Sequence, residues 1–143
     1  MGKTAERHSG TFKAFMFIGF IMATILSSTA MSMAGVMDPK LQEQMDGLLQ
    51  NAEDMVAHGG MGDAKAILHH CGEASRYAES IIKQLPASHP GREEAVASLT
   101  DVIRQCKRVA EIGIHADPGV LLNPAIKARS AARASVKALR VAG

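Results

Sequence analysis

Apolar residues recur in four separate stretches of this chain at alternating steps of three and four. Leu41, Met45, Leu48, Ala52, Met55 and Gly59 make the first stripe, and Ile67, Cys71, Ala74, Ala78, Ile81 and Leu85 the second. Val96, Leu99, Ile103, Cys106, Ala110 and Gly113 make the third, and Ala125, Ala128, Ala132, Ser135, Leu139 and Ala142 the fourth. Such spacing puts each set on one helical face and makes a seam along which helices pack at shallow angles. No stretch keeps the period-two alternation of a half-buried strand.

The residues between the stripes punctuate them. Asp38-Pro39 and Asp117-Pro118 each supply a capping carboxylate followed by proline at the first helical position. The Gly59-Gly60-Met61-Gly62 run ends the first helix and Asp63 caps the second. Residues 86–91 (PASHPG) separate the second from the third, and Asn123-Pro124 is expected to delay or kink the fourth. Short connections between amphipathic helices favour antiparallel neighbours. The expected fold is therefore all-α, an up-down-up-down antiparallel four-helix bundle, with a thin core because the seams are rich in Ala, Gly and Ser. An offset of 57 matches His58 to His115, Gly62 to Gly119, Ala74 to Ala131 and Arg76 to Arg133, a faint sign of two related hairpins.

Ahead of the stripes lies a segment of another kind. Lys3, Arg7 and Lys13 precede the apolar run Ala14 to Leu26, and Ser32-Met33-Ala34 offers a small-x-small exit before Gly35. That order is the signature of a Sec-type secretory signal peptide. Residues 1–34 are thus expected to be a signal peptide and 35–143 the bundle domain, in a periplasmic or secreted protein. The alternatives are a cut after Ala30 and an uncleaved anchor, although the run is short against the roughly 20 apolar residues that span a bilayer. All four Phe residues fall in this segment, which leaves Tyr77 as the one aromatic side chain of residues 35–143. The formal charge of +2 also belongs to the leader, since basic and acidic residues balance after it. That balance argues against a nucleic-acid reader.

Cys71 and Cys106 sit on seams and flank the Ser88 loop symmetrically, so they lie at equal height in a helical hairpin. In an oxidising compartment a Cys71–Cys106 disulfide is expected; a thiolate pair for copper(I) or zinc is the rival. The spacing is not that of covalent haem attachment, and a fourth helix without histidine argues against non-covalent haem. Phosphate loops, nucleophile elbows and His-Glu-x-x-His are all missing, so the chain is expected not to be an enzyme.

Histidines at 58, 69, 70, 89 and 115 include no i, i+4 pair, so a site would draw on several helices. In the expected topology the first and third helices end at one pole, which gathers His58, Met61 and His115 there. His69 and His70 would lie about 10–12 Å below at 1.5 Å per residue, and His89 at the opposite pole. Imidazole with thioether suits copper, and imidazole with carboxylate (Asp63, Glu111, Asp117) suits zinc or nickel. The competing reading is a set of helix-terminal histidines favoured by the dipole. On the fourth helix Arg129, Arg133, Lys137 and Arg140 form a basic stripe. It faces either an anionic surface or the acids Glu53, Asp54, Glu93 and Glu94 of neighbouring helices.

The segment Ala52-Glu53-Asp54-Met55-Val56-Ala57-His58-Gly59, followed by Gly62 and by Leu68-His69-His70-Cys71-Gly72-Glu73, resembles the small metal-binding protein family. Its members are exported helical bundles carrying an Ala-Glu-x-x-Val-x-His-Gly pattern. The resemblance implies binding of copper or another divalent metal in the periplasm, with His58 and His70 at the matching positions and His115 as the repeat counterpart. Family members carry histidines along several helices, whereas Cys71 and Tyr77 stand in that field here and the fourth helix has none. A divergent, histidine-poor member of low metal capacity is the expectation, with a non-catalytic interaction bundle as the alternative.

Overall fold

The computed structural model describes residues 37–141, so the expected signal peptide and its cleavage site lie outside the described residues. Four helices follow one another: α1 Pro39–Gly60, α2 Ala64–Gln84, α3 Arg92–Ile112 and α4 Pro118–Val141. Three of the four starts are capped by an aspartate, and α3 begins after Gly91 without a side-chain cap. The Asp38 carboxylate accepts from the Lys40 amide at 2.9 Å ahead of Pro39, and Asp63 accepts from the Ala66 amide at 2.9 Å. Asp117 accepts from the Gly119 amide at 2.7 Å. These bonds satisfy amide donors that a helix start leaves open. The α1–α2 turn passes through Gly62 at φ +82° and α3 ends at Gly113 at φ +80°. A side chain at either position would be strained.

The helices run antiparallel in sequence order, as the stripes predict. Arg140 pairs with Asp46, Arg133 and Arg129 share Glu53, and a Cβ on Gly59 would meet Leu122 of α4. As the α1 number rises the α4 number falls, so these two helices also close the ring antiparallel. Three of the four basic residues of the α4 stripe are therefore engaged by acids of α1. The Arg140 and Arg133 pairs are solvent-exposed and contribute little to stability, and the Arg129–Glu53 pair is half-buried.

Burial follows the α1 and α2 stripes residue by residue. On α3 the phase differs by one position. Ala95, Leu99, Val102, Cys106 and Val109 are buried, whereas Val96 and Ile103 are half-buried and Ala110 is exposed. Both tracks pass through Leu99 and Cys106, so spacing alone fits either. On α4 the expected positions up to Leu139 are buried, joined by Leu121, Pro124, Ala131, Val136 and Ala138. This wider face reflects three neighbours, because α4 touches α1 and α3 and also α2 across the bundle. The helix continues through Pro124 without ending there.

Cys71 and Cys106 form a disulfide between α2 and α3, with a Cα–Cα distance of 5.1 Å inside the usual range. Both half-cystines are buried, at 2% and 3% exposure. Among the described residues no helix is long and apolar enough to cross a membrane.

Candidate metal centre between the first two helices

One side of the α1–α2 seam carries polar residues at steps of seven. On α1 these are Gln44, Asn51 and His58; on α2 they are His70, Tyr77 and Gln84. Positions seven apart stay beside the same seam, so the antiparallel pairing sets the two series against each other. At the far end Gln84 Nε2 donates to Gln44 Oε1 at 2.9 Å. In the middle the Tyr77 ring lies over Gly47, where a Cβ would come within 2.6 Å of it. At the end nearest the α1–α2 turn the histidines meet.

The His58 and His70 rings stack with centroids 5.3 Å apart and an interplanar angle of 18°. His69 meets His70 edge-on at 5.1 Å and 64°. The sequence estimate of helical rise puts His70 well below His58, yet the rings touch. Side-chain direction explains the difference. Every Cα–Cβ bond in a helix tilts toward that helix's own N-terminus. His58 near the end of α1 therefore leans away from the pole, and His70 in α2 leans toward it.

His58 and His70 are half-buried, while His69 is exposed. Asn51 stands below the stack and its Oδ1 lies 3.0 Å from His70 Nδ1. The same amide donates from Nδ2 to the Gly47 carbonyl at 2.9 Å. Burial pushes the His70 imidazole below its ordinary value, assisted by His69 and His58 and opposed by Asp54 and Asp63.

The other candidates are not among the stacked rings. Met61 is the C-cap of α1 and is 72% exposed. His115 is exposed in the α3–α4 turn. His89 sits in the α2–α3 turn, where its Nδ1 accepts from the Gly91 amide at 3.2 Å. Asp63 and Asp117 are engaged as helix caps. Sequence reasoning missed Asn51 and gave Asp54 only as a counter-charge to the α4 stripe, which pairs with Glu53 and Asp46 instead. The signal for Asn51 was its place seven residues before His58 on the seam.

No family model, curated protein or solved structure matches this chain. The site is therefore read from its own chemistry. Among the described residues, no three His, Cys, Asp or Glu side chains already stand as a group able to hold a metal. What the stack offers is two imidazoles from adjacent helices and a third at its edge, with Asp54 and Asp63 acting on His70 through their charge. Neutral imidazole is the form that binds a metal ion, and burial favours it at His70.

The shift of His70 has a sign that can be checked on metal-free protein. Its folded value lies below its unfolded one, so the unfolded chain takes up the proton first as pH falls. Stability is complete above the ordinary histidine range. It is expected to decline as pH falls through that range, until the folded protein is protonated as well. Urea midpoints measured in chelator from pH 8 to pH 5 should fall less for His70→Gln than for the parent. Parallel curves would show that His70 carries none of this dependence.

Proposed function

We propose that this protein is an exported, non-catalytic module that binds copper or another divalent metal, with nickel and zinc as alternatives. The stacking of His58 against His70 across the α1–α2 seam carries this reading. It brings together two imidazoles from adjacent helices at the positions that the resemblance to the small metal-binding proteins singles out. His69 is the nearest further imidazole. Met61 and His115 stand in the turns and would join by side-chain and turn movement. The disulfide between α2 and α3 fits an oxidising compartment such as the periplasm.

Equilibrium dialysis of the disulfide-bonded domain against copper(II), nickel(II) and zinc(II), with bound metal quantified, tests the proposal. Binding near one equivalent is expected. The His58→Ala/His70→Ala variant should lose at least tenfold in affinity, and His115→Ala should lose less. Equal uptake by parent and double variant would move the site elsewhere. No uptake by the parent would leave a structural or interaction bundle.

A further inference from the structure

The amide of Asn51 has two neighbours, and together they fix more than its own orientation. Its nitrogen side lies 2.9 Å from the Gly47 carbonyl oxygen, which can only accept. Turning the amide over would set two acceptor oxygens against each other there, so the oxygen side must face α2. That oxygen lies 3.0 Å from His70 Nδ1. A carbonyl oxygen needs a donor, so this ring nitrogen must carry hydrogen. In a neutral imidazole the other nitrogen, Nε2, then keeps the lone pair. The order of dependence runs from the Gly47 carbonyl to the Asn51 amide to the His70 tautomer.

We propose that Asn51 is a positioning residue: by accepting the Nδ1 hydrogen of His70 it holds that ring in place and leaves Nε2 as the atom that binds the metal. This rests on the metal-binding reading given above. Metal-binding histidines commonly donate their second ring N–H to a carbonyl or carboxylate, which fixes both tautomer and orientation. Asn51 holds that place here from the neighbouring helix. A neutral amide also leaves the charge of the site unchanged, whereas aspartate at this position would favour imidazolium. Gly47 contributes through its carbonyl, and the Tyr77 ring packed over its Cα keeps that stretch of α1 beside α2.

Long-range proton–nitrogen correlation spectra of the metal-free, disulfide-bonded domain read the tautomer directly. His70 is expected to show a pyrrole-type Nδ1 and a pyridine-type Nε2. Asn51→Leu removes the acceptor and should return His70 to a mixture of tautomers, while Asn51→Asp keeps an acceptor and should preserve the Nδ1–H form. Zinc(II), titrated as the probe, should bind Asn51→Leu about 10–100-fold more weakly than the parent, with Asn51→Asp restoring most of the loss. A His70 protonated on Nε2 in a parent that still binds zinc overturns this inference alone. Unchanged zinc affinity in a folded Asn51→Leu does the same. A parent with the expected tautomer that takes up no zinc refutes the metal-binding reading, and the positioning role falls with it.

Discussion

Removing the Cys71–Cys106 bond is expected to lower the stability of the domain by about 3–4 kcal/mol in the chain-entropy model. The bond closes a loop spanning 35 residues of sequence, and that loop is free in the reduced unfolded chain. A domain of this size has roughly 5–15 kcal/mol in all, so the loss is a large share. The midpoint of thermal unfolding should fall by roughly 15–25 °C. The composition of the core makes the dependence understandable. No tryptophan or phenylalanine lies within the described helices, and alanine fills many of the buried positions. Urea unfolding of the oxidised protein, the reduced protein and Cys71→Ala/Cys106→Ala separates the cross-link from the packing of the sulfurs. Reduction opens the cross-link but keeps both sulfurs in the core, whereas the double alanine variant removes them. A loss below about 1 kcal/mol on reduction would mean that the reduced unfolded chain already holds α2 near α3, contrary to the entropic account.

The disulfide was legible in the sequence because a hairpin is symmetric about its turn. Two residues equidistant from the Ser88 loop must face each other when both lie on the seam, and Cys71 and Cys106 do. The α1 and α2 faces were legible from their stripes. Leu49 and Val56 on α1 and Leu68 and Ile82 on α2 are only partly buried beside that track, and the buried phase is the one the stripes name. On α3, Val96 and Ile103 compete with Ala95 and Val102 for the same seam, and the choice depends on neighbours that spacing does not reveal. The histidine stack was half legible. The sequence placed His58 at the pole and His70 below it, but backbone height ignores the opposite tilt of side chains on antiparallel helices. Asn51 was missed because its importance lies in a partner 19 residues away and in the Gly47 carbonyl, neither of which any apolar pattern marks.

The cross-section of the bundle is unequal, and that leads to the second large expected effect. The backbones of α2 and α4 come within 8 Å across the bundle, whereas among the described residues those of α1 and α3 do not. Side-chain volume accounts for this. The buried faces of α2 and α4 are built largely from Cys71, Ala74 and Ala78 and from Ala125, Ala128, Ala132 and Ser135. Those of α1 and α3 carry Leu41, Met45, Leu48 and Met55 and Leu99, Val102 and Val109. Small residues let one diagonal shorten, and the large residues of the other diagonal fill what remains. Leu48→Ala should then cost about 2–5 kcal/mol, because helices already in contact across the short diagonal cannot close in to fill the space. Ala132→Leu should cost about 1–3 kcal/mol for the opposite reason, by forcing that diagonal apart. Combining them tests the geometry. If the two diagonals are independent volumes, the losses should add within about 0.5 kcal/mol in urea unfolding. A double variant clearly more stable than that sum would show that the added leucine reaches the space Leu48 vacated, and that the core is one continuous volume instead.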